Sequence, residues 1–290
     1  MSFLFYFTTC LTTKTEKSLT TPSIIDNPTS MSPPNAIKIN DSLFVDWTEV
    51  SNINWKEYNM YNLRIYGEQS LQYIESLPYL LGYVRALDEN NELKVESDVT
   101  RDFYYHEAEY DDYPITGITL EQAKNFSKWR SDRVFEGFLI KAGIINNNGV
   151  HFTIQEFLET DIYKENADKI THYPEYFIPT VEHVRIVQKL IKDEEKKLGI
   201  VHTVNNAKRE QRYFGLPIKP VGPLKGIESK NILYNIGGNV YELVDGKNKI
   251  YGGSFLNTKE EILDLPIQTA IIPNEIVGFR NYCRWVEIKR

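Results

Sequence analysis

Thr119-Leu120-Glu121-Gln122 is the stretch from which the rest of the chain can be read. A threonine followed three residues later by glutamine has capping-box spacing, in which each side chain satisfies a backbone amide at the other's position. A long helix is therefore predicted to follow. Leu120, Ala123, Phe126, Trp129, Val134 and Phe138 recur at helical spacing as its buried face, and Lys124, Lys128, Asp132 and Glu136 fall on the wet one. Asn146-Asn147-Asn148-Gly149 breaks the pattern. Upstream, Asp111-Asp112-Tyr113-Pro114 blocks helix entry at the proline, so His106 to Pro114 reads as a loop.

Working outward, a second helix is predicted after Pro179-Thr180, with Val181, Val184, Val187, Leu190 and Ile191 inward as far as Gly199. Toward the N-terminus, Ser42 to Trp47 alternates as a strand, and Thr48-Glu49-Val50-Ser51 leads into a helix marked by Ile53, Trp55, Tyr58 and Leu63. Ser51 is its expected N-cap. Leu71 to Leu87 reads as irregular chain or short helix. From Leu216 onward, glycine and proline punctuate short β-like runs at Ile232 to Ile236, Val240 to Val244, Lys249 to Tyr251 and Phe279 to Ile288. The expectation is one loop-rich α+β domain with few helices and short antiparallel strands, and no internal repeat.

The composition, 41% hydrophobic and 13% aromatic over 290 residues, suffices for a real core. A net charge of -7 with no basic stripe argues against a nucleic-acid partner. Cys10 and Cys283 are the only cysteines, too few for a disulfide framework or a cysteine-rich zinc site. Cys283 stands in an alternating run that suits a small buried side chain. Residues 1–10 join a short apolar run, Phe3 to Phe7, to Thr8-Thr9-Cys10, which resembles a truncated lipoprotein signal with Cys10 as the acylated residue. A frayed N-terminus on a cytoplasmic protein is the alternative. Residues 11–40, rich in Thr, Ser, Pro, Asn and Lys, read as a flexible tether before a domain at 41–290. Acylation of Cys10 would attach that domain to a membrane.

Five words in fixed order carry a family resemblance. They are Phe44-Val45-Asp46-Trp47-Thr48-Glu49-Val50-Ser51-Asn52, Tyr113-Pro114-Ile115-Thr116-Gly117-Ile118-Thr119-Leu120-Glu121-Gln122-Ala123, Gly238-Asn239-Val240-Tyr241-Glu242-Leu243-Val244, Gly252-Gly253-Ser254-Phe255-Leu256-Asn257 and Gly278-Phe279-Arg280. The set resembles the formylglycine-generating-enzyme superfamily, also called the sulfatase-modifying-factor superfamily, whose usual words are an EVT-N start, a YPV-GVSW helix entry, GNVWEW, RGGSW and GFR. Trp129-Arg130-Ser131-Asp132-Arg133-Val134-Phe135-Glu136 looks most like the gliding-motility lipoproteins of Bacteroidota linked to type IX secretion. The resemblance implies a compact α+β fold related to C-type lectins. It also implies a lipoprotein on the periplasmic side of the outer membrane, with envelope proteins as partners.

The departures from that pattern bear on function. Enzymes of the superfamily bind copper through a cysteine pair shortly after the GGS word, where this chain reads Ser254-Phe255-Leu256-Asn257-Thr258-Lys259-Glu260-Glu261. Soft Cu(I) wants thiolates, which hydroxyls and amides cannot replace. The three-histidine iron site of another branch has no counterpart among His106, His151, His172, His183 and His202, no two of which lie within a helical turn. His183 stands at a helix start and reads as structural. Neither copper nor iron is expected. Calcium is, because superfamily members bind it around the GNVWEW word and Asn239, the carbonyl of Val240 and Glu242 offer hard oxygen donors. The alternative there is a solvated turn before an ordinary strand. Tyr104 to Tyr113 could contact a sugar or a protein, or pack on the core. The expected function is a non-catalytic envelope scaffold or binding component. A superfamily oxidoreductase with a non-standard metal site, or a carbohydrate-binding lectin-like module, stands as the alternative.

Overall fold

Ser51 and Thr119 open their helices by the same device. In a computed structural model of the chain, which describes residues 32–84, 86–87, 93–94, 99–198, 204–205, 216–222, 232–257 and 266–289, each hydroxyl accepts the third amide of its helix. Each third side chain, Asn54 or Gln122, reaches back to the cap amide.

The folded part begins before residue 41. Strand β1 (Ala36–Lys38) pairs antiparallel with β2 (Phe44–Asp46), so the last residues assigned to a tether lie in a sheet. Next come α1 (Asn52–Tyr66), the single turn α2 (Leu71–Ile74) and the paired strands β3 (Ala86–Leu87) and β4 (Leu93–Lys94). Helix α3 (Arg101–His106) and a 3₁₀ turn at Ala108–Tyr110 intrude on the expected loop. The Thr100 hydroxyl accepts from Phe103 N–H and starts α3, a short-range signal that the downstream proline does not cancel. Helix α4 (Leu120–Lys141) is followed by α5 (Ile154–Leu158), α6 (Asp161–Asn166), β5 (His172–Phe177) and α7 (Val181–Leu198). The remaining strands are β6 (Val204–Asn205), β7 (Gly237–Gly238), β8 (Tyr241–Val244), β9 (Lys249–Tyr251), β10 (Gln268–Thr269), β11 (Val277–Gly278) and β12 (Tyr282–Glu287). The class is α+β. The described residues hold seven α-helices, more than the few expected, because α2, α3, α5 and α6 span only one or two turns and are set by caps rather than by periodicity.

One sheet runs β1-β2-β12-β5 and is wholly antiparallel; the other runs β10-β9-β8-β11, in which β11 joins β8 in parallel. The pair β6 and β7 is parallel as well, so the all-antiparallel expectation holds only in part. Ile232 to Ile236, expected as a strand, forms a buried turn with Asn235 at φ 50°. Strand β5 lies at the sheet margin, but its outer edge is closed. Pro174 has no N–H to offer, and Tyr176 N–H donates to Ser131 Oγ of α4 at 2.8 Å.

Trp55 of α1 stacks on Phe126 of α4 with centroids 5.3 Å apart, and Phe279 meets both rings edge-on. The indole N–H donates to Ser76 O at 3.0 Å, so this core aromatic leaves no buried donor unmatched. The opposite side of α4 is buried too, where Phe135 and Leu139 pack with Ile154 and Phe157. Asp132 and Glu136, assigned to the wet face, are consequently buried. Asp132 accepts from Ile154 N–H at 2.8 Å, and Glu136 pairs with Arg133 at 2.6 Å and with His151 at 3.1 Å. Helical spacing reports angle around the axis; it cannot report that the chain after Lys141 folds back over the second face.

Candidate functional site

Three of the five sequence words supply one buried polar network, and the other two pack beside it, Ile115 against Gly278 and Phe255 N–H donating to Asn239 O at 3.0 Å. Gly278 lets them approach, since a Cβ there would sit 2.7 Å from Ile115 O and 3.1 Å from Val240 Cγ2. Two residues on, Arg280 is fully buried. Its Nε donates to Glu242 Oε1 at 2.9 Å, Nη1 to Asp46 O at 2.9 Å and Nη2 to Tyr234 O at 2.7 Å. Asp46 in turn takes a bidentate ion pair from Arg130, whose guanidinium lies 4.1 Å over the Tyr176 ring.

Glu49 is the third carboxylate here, and two guanidiniums already serve the other two. Its oxygens accept from Asn235 Nδ2 at 3.1 Å and from Asn239 Nδ2 at 3.0 and 3.2 Å, all neutral donors. Burial pushes its pKa up to about 8, with Arg280 opposing and the Glu242 charge adding to the rise. Burial likewise raises Asp46 and Glu242 against the pull of their arginines. Near neutral pH the odd carboxyl therefore keeps its proton.

Asn239 and Glu242, two of the three residues offered to calcium, belong to this network. Asn239 Oδ1 accepts from Lys219 N–H at 2.8 Å while Glu242 Oε1 faces Arg280, so neither oxygen is open to a cation in this arrangement. The turn is not solvated either: Asn239, at φ 55°, and Val240 are both fully buried, the latter among Val84, Tyr104, Ile218 and Phe255. Among the described residues no group of three or more His, Cys, Asp or Glu is placed to hold a metal. Cys283 is buried beside Phe44 and Tyr176, and that burial raises its thiol pKa well above the ordinary value. Ser254 N–H and Tyr241 O–H both donate to Asn257 Oδ1 at 3.0 Å, which closes the turn after the paired glycines. Cys10, His202 and the stretch Thr258 to Glu261 lie outside the described residues. Among the described residues the histidines have separate partners: His151 meets Glu136, His183 Nδ1 accepts from Thr180 N–H at 3.2 Å, and His106 is 3.5 Å from Asp102. Tyr104 and Tyr105 are buried, Tyr104 donating to Pro114 O and Tyr105 to Asn59 Oδ1, so these two tyrosines pack on the core.

Asp46, Glu49 and Arg130 were not legible as site residues, because a lone charged residue beside apolar ones reads as a surface position. Asp46 and Arg130 pair with each other, and Glu49 is held by Asn235 and Asn239, partners that are distant in the sequence. Outside the network, an open groove of about 730 Å³ separates α4 from β5 and the start of α7, edged by Lys128, Asp132, Glu175 and His183.

No family model matches this chain, and no curated protein does either. Among solved structures it is similar to the crystal structure of CarF, with a TM-score of 0.38 and 13% sequence identity over 83% of this chain and 86% of that one. A likeness of that size carries no argument about function.

Proposed function

We propose that the chain is a non-catalytic member of the formylglycine-generating-enzyme superfamily that serves as a scaffold or binding component of a cell envelope, close to the gliding-motility and type IX secretion lipoproteins and tethered through an acylated Cys10. The observation that carries the reading is the fate of the sulfur. Copper-dependent cysteine oxidation requires two accessible thiolates, and the fold keeps a single described cysteine, Cys283, buried and with its thiol pKa raised. The family words support it from the other side. Their polar residues, Asp46, Glu49, Asn239, Glu242 and Arg280, satisfy one another inside the protein, where they fix geometry rather than face a substrate.

The test is fractionation of cells that express the full chain, with capture of its partners, alongside metal analysis and an oxygen-uptake assay on a cysteine-containing peptide. The expected result is an acylated protein in the envelope fraction, with bound envelope proteins and no oxygen uptake. Stoichiometric copper or iron with peptide turnover would overturn the reading, as would recovery in the cytosol without acyl chain or partners.

A further inference from the structure

From Leu71 to Tyr83 the chain turns an unusual amount of apolar surface outward. Leu71 and Ile74 of α2 are exposed, and in the extended segment after it the residues alternate. Ser76, Pro78 and Val84 are buried and Leu80 packs on the core, while Leu77, Tyr79, Leu81 and Tyr83 point to solvent, Leu81 with 70% of its surface free. Phe103 of α3 extends the face, because Tyr83 bridges to Thr100 and Arg101 N–H donates to Gly82 O at 3.0 Å. Single exposed apolar side chains are ordinary; seven on one short stretch and its neighbour are a concentration that calls for a partner to cover it.

The stretch is also held rigid. Tyr79 N–H donates to Gly117 O at 2.8 Å, and the buried Arg101 donates from Nε to Tyr79 O at 2.8 Å. Gly117 is required for this approach: at φ +71° its absent Cβ would overlap the Arg101 guanidinium. A partner would meet a preformed surface and avoid part of the entropic cost of ordering it.

Charge selects the occupant. Residues 66–84 contain no lysine, arginine or histidine, Arg64 and Arg85 flank them in sequence, and α3 with the turn after it adds the buried Arg101 and the exposed His106. Exposed carboxylates are interleaved with the apolar face at Glu68, Glu75, Asp102 and Glu107. An anionic bilayer or a nucleic acid would be repelled, and a second copy would bring the same acidic rim against this one. We infer that the face formed by Leu71–Tyr83 and Phe103 docks a partner protein through a segment with an apolar centre and a lysine- or arginine-rich rim. This rests on the scaffold reading and names its surface.

The test compares the full chain with the double variant Leu71→Ser/Leu81→Ser, whose altered side chains are exposed and so leave the fold intact by circular dichroism. The charge variant Glu68→Lys/Glu75→Lys is carried in parallel. An amphipathic Leu/Lys peptide is titrated against each, with a Leu/Glu peptide as control and sedimentation to follow self-association. The expectation is that the Leu/Lys peptide binds the parent, that either variant weakens it by about tenfold or more, and that the serine variant loses the envelope proteins captured by the parent. Equal peptide binding by parent and both variants overturns the proposal, as does equal binding of the acidic peptide. A parent dimer abolished in the serine variant would overturn it by assigning the face to self-association. Envelope proteins still captured by the serine variant would remove this surface and leave the scaffold reading standing.

Discussion

Replacing Glu49 by glutamine should stabilise the protein, and by an amount that grows with pH. In the fold the carboxyl titrates near 8, against an ordinary value of 4.5. Between those two values the unfolded chain is ionised and the folded one is not, so unfolding releases a proton. Glu49 therefore contributes its full stability below about pH 4.5, and loses it at about 1.4 kcal/mol per pH unit as the pH rises toward 8. Glutamine keeps an oxygen for the amides of Asn235 and Asn239 and does not titrate. Relative to the parent, Glu49→Gln should gain about 1 kcal/mol at pH 5, about 3 at pH 7 and about 4 at pH 8, apart from a constant offset for the new N–H donors. Urea unfolding followed by tryptophan fluorescence at the three pH values gives the difference directly, because any constant offset cancels. A difference that stays flat from pH 5 to pH 8 would refute the reasoning, since it would mean that Glu49 is ionised in the fold and belongs to Arg280.

Arg280→Met should cost about 3–5 kcal/mol by leaving Glu242 buried without its cation, and urea midpoints would reveal a smaller loss. Thr119→Ala removes one half of a capping box and should cost about 1 kcal/mol by the same measurement, with the helical signal largely kept. Cys283 should resist a thiol reagent in buffer and react promptly in denaturant; fast modification of the native protein would contradict its burial. Millimolar calcium should leave the melting temperature within about 1 °C of its metal-free value, because Asn239 Oδ1 and Glu242 Oε1 are already engaged by Lys219 N–H and Arg280; a larger rise would show that Asn239 and Glu242 exchange their protein partners for the ion.

The parts of the fold that were legible are those fixed within a few residues. Ser51 and Thr119 announce their helices because a cap and its third residue are neighbours, and α7 shows its inward valines because one face of it is buried and the other wet. Asp132 and Glu136 misled because the layer that covers them is built from residues more than ten positions downstream. Strand β5 escaped notice because Pro174 interrupts its pattern, and a proline is tolerated only at a sheet margin, which is a fact of topology. At the site, glycines and asparagines marked the turn around Asn239, but no local pattern shows that Glu49 and Asp46 are interior acids. That depends on partners far along the chain: Arg130 for Asp46, 84 positions on, and Asn235 and Asn239 for Glu49, 186 and 190 positions on.

The order β1-β2-β12-β5 has a consequence for how the chain comes to be folded. Strands β2 and β5, the two neighbours of β12, are both made before it, and each pairs with β12 rather than with the other. Strand β5 can pack on the preceding α4 and β2 can pair with β1, but the two halves are joined only when β12 is in place, so the sheet should close late in folding. Loss of β12 would part β1-β2 from β5 rather than trim the border of the sheet.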